Sequence, residues 1–127
     1  MAEQVTFEDA YEATMKLIKD RKLDQTNDAR GIAISLSLEA NELLEYFQWN
    51  GKSFGTKEDL ASELADIFIY GIQFADRFDI DIPSAISDKV AKMNKKYPKE
   101  IFDIADEKER SKAWLEAKRN YTKDTTL

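Results

Sequence analysis

Residues 37–49 read Ser37-Leu38-Glu39-Ala40-Asn41-Glu42-Leu43-Leu44-Glu45-Tyr46-Phe47-Gln48-Trp49, and residues 63–70 read Glu63-Leu64-Ala65-Asp66-Ile67-Phe68-Ile69-Tyr70. Neither stretch contains Gly or Pro, and both are periodic in the manner of a helix interior. Each carries an acidic pair at i and i+3, Glu39 with Glu42 and Glu63 with Asp66, so the two carboxylates of a pair share one helix face. At about 100° per residue, Glu63 falls on the side of Leu60, Ile67 and Phe74, and Asp66 falls beside Tyr70 and Ile69. Glu42, Tyr46 and Trp49 fall on the side of Glu39, flanked by Leu38 and Leu43. Acids at the margin of an apolar stripe are partly buried, and a buried carboxylate without a partner is costly. If the two helices pack side by side, four carboxylates converge. Such a cluster persists only when protons or divalent cations neutralise it. Oxygen ligands point to Mg²⁺, Mn²⁺ or Ca²⁺, and Mg²⁺, with Mn²⁺ as a substitute, suits an all-oxygen site with waters and substrate phosphates in the open positions.

The remaining punctuation is also helical. Thr6 with Asp9 predicts the start of a first helix, and the polar run Arg21–Asp28 predicts a loop that ends with Asn27 or Asp28 as the next N-cap. The second helix is predicted over about Ala29–Asn50, stopping at Gly51, with a turn across Gly51–Gly55. Thr56 with Asp59 opens a third helix that runs to about Phe78. Asp81-Ile82-Pro83-Ser84 opens a fourth, and Pro98 follows its end. Lys99–Leu127 holds one more amphipathic helix around Trp114 and Leu115, then a polar tail. Short connections between long helices predict an all-α fold: an antiparallel four-helix bundle core with an additional C-terminal helix. We read residues 1–127 as one helical domain, with a core over about 6–98 and a C-terminal extension over 99–127.

Composition narrows the chemistry. The chain has 127 residues, 43% hydrophobic and 35% charged, a globular composition. It has no His and no Cys. That excludes zinc fingers, haem and iron–sulfur ligation, Cys nucleophiles, Ser-His-Asp triads and disulfides. A net charge of −6 argues against a nucleic-acid polymer as partner, because that binding needs a basic face. The most apolar stretch, Ile67–Ala75, is short and bounded by Asp66 and Asp76, so no membrane span is expected. The N-terminus is polar and acidic, unlike a signal peptide, and the expected location is cytoplasmic. Gly51-Lys52-Ser53 is no P-loop end, since the earlier glycine position is Tyr46 and no strand precedes it.

The two acidic stretches together resemble the signature of the MazG-like, all-α nucleotide pyrophosphohydrolases, particularly the branch with the dCTP pyrophosphatases. That signature is E-x-x-E, a spacer, then E-x-x-D, and the spacer here runs from Leu43 to Ser62. Lys95-Lys96-Tyr97-Pro98 is similar to the family's ending, so the resemblance covers about Arg21–Pro98. It implies a Mg²⁺-dependent hydrolase that cuts a (deoxy)nucleoside triphosphate to monophosphate and pyrophosphate, with a part in nucleotide-pool house-cleaning. It further implies Glu39, Glu42, Glu63 and Asp66 as catalytic metal ligands, and a homodimer or homotetramer. Trp49 and Tyr70 stand where the family has aromatics and are candidates for stacking on the base. On the fourth helix the family uses a Lys and an Asn for phosphates. Lys89 matches, Met93 occupies the Asn position with Asn94 beside it, and Lys92 and Lys96 are further candidates. The branch's Arg-x-Trp-x-Gln-Phe-His run reads Arg21-Lys22-Leu23-Asp24-Gln25-Thr26-Asn27 here, so Leu23 and Asn27 replace Trp and His, and no cytosine preference is implied. Two other readings use the same residues: an all-α dUTPase-type hydrolase, and a helical oligomerisation or regulatory module without catalysis.

Overall fold

The computed structural model describes residues 3–48 and 55–124, which form seven helices and no strand among the described residues. They are α1 (Phe7–Asp20), α2 (Leu23–Thr26), α3 (Ala29–Glu45), α4 (Lys57–Arg77), α5 (Ile82–Lys96), α6 (Lys99–Phe102) and α7 (Glu107–Asp124). The all-α fold is the one the periodicity predicts. Among the described residues, no helix is long and apolar enough to cross a membrane. The chain divides into two compact units, residues 1–80 and 81–127.

Local chemistry sets the helix starts. The Thr6 hydroxyl accepts from the Asp9 N–H at 3.1 Å while the Asp9 carboxylate accepts from the Thr6 N–H at 3.2 Å, a reciprocal cap. Thr56 and Asp59 repeat it at the head of α4, at 3.1 and 2.9 Å. These bonds hold the Asp59 carboxyl below the usual carboxylate range. Asp28, not Asn27, caps α3, accepting from the Gly31 N–H at 2.6 Å. Asp81 caps α5 by accepting from the Ser84 N–H at 3.2 Å, with Pro83 in the first turn.

Two boundaries depart from the sequence expectation. The run Arg21–Asp28 is not all loop, because Leu23–Thr26 forms α2, entered through Lys22 in the left-handed region at φ 56°. A four-residue helix is unstable alone, and here tertiary bonds hold it. Lys19 Nζ lies 3.0 Å from Asp24 Oδ2 and 3.5 Å from Asp76 Oδ2, and Arg77 donates to the Asp24 carbonyl at 2.7 Å. The second departure is that α3 ends at Glu45 and does not reach Asn50. Beyond it the N–H groups of Tyr46, Phe47 and Gln48 donate to carbonyls only three residues back, at 3.3, 2.9 and 3.4 Å, a tightening that closes a helix. The expected stop at Gly51 and most of the Gly51–Gly55 turn lie outside the described residues.

In the first unit α3 runs antiparallel along α4. Asn27 meets Gln73 at one end, Glu39 meets Glu63 midway, and Tyr46 meets Gly55 at the other. α1 and α2 also pack on α4. Ile18, Ile32, Ile72 and Ala75 form the buried core, at the Asn27 end of the pair. Gln73 is buried among them, and its Oε1 accepts from Asn27 Nδ2 at 3.2 Å, which supplies the partner a buried amide requires. In the second unit α5 and α6 pack on α7.

Gly55 closes the α3–α4 hairpin from below the half-buried Tyr46 ring. A Cβ there would lie 2.5 Å from Tyr46 Cδ1 and 2.7 Å from Cε1, inside any real contact distance. Gly55→Ala is therefore expected to displace the ring and to destabilise the protein by about 1–3 kcal/mol. Urea unfolding should show a lower midpoint with an unchanged slope. Wild-type stability in this variant would mean that the ring does not need the close approach.

Candidate functional site

The antiparallel pairing of α3 and α4 turns the two acidic pairs toward each other. Glu39 of α3 and Glu63 and Asp66 of α4 each offer one carboxylate oxygen, and the three oxygens lie within 4.8 Å of one another. These three acids are half-buried and Glu42 is exposed. Glu42 nonetheless hydrogen-bonds both Glu39 and Glu63. The structure thus brings together all four of the acids singled out in the sequence.

Their electrostatics follow from this crowding. The hydrogen bond with Glu42 is the largest influence on Glu39, followed by burial and by the charges of Glu42, Asp66 and Glu63, and together they push its carboxyl up to about 7. Burial is the largest influence on Glu63 and raises it, aided by the hydrogen bond and charge of Glu42 and by the charge of Asp66. Its hydrogen bond with Glu39 pulls the other way. Oε2 of Glu39 and Oε2 of Glu63 are buried with no hydrogen-bond partner. The ion pairs among the described residues lie elsewhere, at Lys16 with Asp20 and at Lys19 with Asp24 and Asp76. Buried anionic oxygens from an all-oxygen donor set, with no cation beside them, fit a hard divalent ion. Glu39, Glu42, Glu63 and Asp66 are the residues that would hold it.

Tyr46 stands one turn beyond Glu42. Burial raises its phenol first, and the charges of Asp59, Glu63, Glu42 and Glu45 raise it further, so a protonated hydroxyl stays near the acids. Sequence periodicity placed Tyr46 on this face without giving it a role. Tyr70 is half-buried on α4, one turn beyond Asp66. Trp49 lies outside the described residues.

The other candidates belong to the second unit. Lys89, Lys92 and Lys96 line a cavity of about 330 Å³ together with Met93, Tyr97 and Tyr121. Asn94 is exposed and stands outside this lining. Tyr121 was not a candidate from sequence, although its spacing from Trp114 and Lys118 puts the three on one helix face.

Comparison with known proteins agrees with this geometry. Residues 34–116 match the model of the MazG-like family. The proteins named dCTP pyrophosphatase 1 from Mus musculus and Homo sapiens are each 30% identical to this chain over 101 residues, covering 73% of it. The protein of that name from Bos taurus is also 30% identical. The chain spans 59% of the length of the mouse and human relatives and 60% of the bovine one.

Proposed function

The chain belongs to the MazG-like family, and from that premise we propose that it hydrolyses (deoxy)nucleoside triphosphates to monophosphate and pyrophosphate in a Mg²⁺-dependent reaction. Mn²⁺ is the expected substitute, and clearing the nucleotide pool of unwanted triphosphates is the expected role. The observation that carries this reading is the convergence of Glu39, Glu63 and Asp66 oxygens within 4.8 Å, with two buried oxygens unpartnered. The names of the relatives, which specify a pyrophosphatase acting on dCTP, support the substrate class.

The chain's own residues divide the work. With no histidine and no cysteine in the sequence, carboxylates are the groups able to accept the proton of an attacking water. Glu39, Glu42, Glu63 and Asp66 would hold the cation, whose charge would offset the mutual repulsion of their crowded carboxylates. When bound, the ion supplies Lewis-acid stabilisation of the phosphoryl oxygens and acidifies water. Tyr70, with Trp49, serves the base. Lys89, Lys92, Asn94 and Lys96 serve the phosphates, a role supported for the three lysines by the cavity they line. The protein acts as a homodimer or homotetramer. Supporting this, Phe7, Leu64 and Phe68 along the α1–α4 groove are 47–54% exposed, a patch of apolar side chains suited to a partner.

The test is incubation of the protein with each common dNTP and NTP and Mg²⁺, with products identified by anion exchange. Monophosphate plus pyrophosphate is expected. Asn27 stands at the histidine position of the dCTP-type run, and its amide is committed to Gln73. Cytosine is therefore expected to hold no marked advantage over the other bases. Silence across the panel from a folded, Mg²⁺-loaded sample would instead make this a non-catalytic helical module.

A further inference from the structure

Tyr46 shares the acidic seam of α3 and α4 and carries no charge. On α3, Glu39, Glu42 and Tyr46 stand on one face, because their spacings are close to one and two turns of a helix. On α4, which runs the other way, Asp59, Glu63 and Asp66 answer them in reverse order. Tyr46 therefore stands at the Asp59 end of the seam. The charges of Asp59, Glu63, Glu42 and Glu45 all act on its phenol.

The ring is held at both ends of its own segment. The Tyr46 N–H closes α3 by donating to the Leu43 and Leu44 carbonyls, and one ring edge lies on Gly55, where a Cβ would stand 2.5 Å from Cδ1. The hydroxyl of this clamped ring makes no hydrogen bond to any described residue, although the carboxylates acting on it are all acceptors. Those acids are engaged elsewhere. Asp59 accepts from Thr56 in the α4 cap, and Glu42 bonds Glu39 and Glu63. A lysine or arginine here would pair with the acids and cancel the charge that attracts a cation. A phenol is neutral near pH 7 and offers a donor without that cancellation.

We propose that the Tyr46 hydroxyl donates a hydrogen bond to a non-bridging phosphate oxygen of the triphosphate bound at the α3–α4 acids. The inference rests on the hydrolase reading and adds to it a substrate-binding residue on the seam itself. Carboxylates accept hydrogen bonds and repel phosphates, so a donor is what the four acids cannot supply. The phosphates are the part of the substrate that would share a cation with these acids, and Tyr46 is one turn from Glu42. Because Gly55 clamps the ring, the donor is in place before the substrate arrives, and little ordering is lost on binding.

The test is calorimetric titration of the full chain, in Mg²⁺, with two ligands: an uncleavable α,β-imido deoxynucleoside triphosphate and inorganic tripolyphosphate. Tyr46→Phe keeps the ring on Gly55 and removes the hydroxyl alone. It is expected to weaken both ligands about tenfold. Its metal-free melting temperature, and the shift that Mg²⁺ alone produces, should match wild type. Tyr11→Phe, which removes a hydroxyl at the apolar α1–α4 groove, should bind both ligands as wild type does. The proposal is overturned by affinities unmoved in Tyr46→Phe or by an equal loss in Tyr11→Phe. An effect confined to the nucleotide analogue would also overturn it, by assigning the hydroxyl to the base or sugar. So would loss of the Mg²⁺ shift in Tyr46→Phe, which would make the phenol part of the cation's site. Ligand binding that depends on Tyr46, without nucleotide hydrolysis by the wild type, would strike the hydrolase reading alone. Hydrolysis by the wild type, with binding indifferent to Tyr46→Phe, would strike this inference alone.

Discussion

Glu63→Gln is expected to lower nucleotide turnover by about a thousandfold or more while leaving the metal-free protein as stable as wild type, or more so. The two halves of this expectation have one cause. Glu63 lies among acids, one of its oxygens is buried without a partner, and burial and Glu42 both disfavour its charge. The amide keeps the shape, removes a negative charge and brings a donor to Glu39 and Glu42, so the empty cluster relaxes. The same change deletes an anionic ligand from the site that would hold the divalent ion. Thermal melting in a chelator and product analysis with Mg²⁺ read the halves separately. Retained turnover in Glu63→Gln would rule out the site. A large drop in melting temperature would make Glu63 a structural residue.

The second large effect is in the pH dependence of stability, whose sign is opposite to that of a protein held by ion-paired carboxylates. Glu39 titrates near 4.5 when unfolded and at about 7 when folded. Between those values the folded chain binds more protons than the unfolded one, so stability falls as pH rises through the window. In chelator, the melting temperature contributed by this site should be highest near the acidic end and decline toward neutrality. Saturating Mg²⁺ should reverse the trend. The cation competes with the shared protons, so the stabilisation it confers grows with pH as the cluster ionises. Melts at about pH 5 and about pH 7.5, each with chelator and with Mg²⁺, make the comparison. A Mg²⁺-induced shift that is equal at both pH values would show that the ion binds away from these acids. No shift at either would remove the metal from the proposal.

Much of the scaffold was legible in the sequence because it depends on neighbours in the chain. Thr6, Thr56, Asp28 and Asp81 cap their helices through bonds that span three residues. The i, i+3 spacing of Glu39 with Glu42 and of Glu63 with Asp66 likewise guarantees a shared face on any α-helix. The first of the misread boundaries has a long-range cause. α2 is held by Lys19, Asp76 and Arg77 from α1 and α4, and a run of polar residues carries no sign of such partners. After Glu45 the α3 bonding gives way to the three-residue bonds of Tyr46, Phe47 and Gln48, and the Tyr46 ring lies against Gly55, nine positions on.

The sequence by itself determined which residue types could do chemistry here. The absence of His and Cys leaves oxygen ligands as the means of holding a metal, and helical spacing gathers the acids into two pairs. Only the tertiary structure decided that the pairs meet, because that depends on the register of α3 against α4, which Asn27–Gln73 at one end and Tyr46–Gly55 at the other set together. It also decided that Lys96 is steadied by Tyr121, a residue 25 positions away on another helix. A spacing along one helix fixes a direction in space relative to that helix alone. Which direction another helix presents in return is settled by how the two pack.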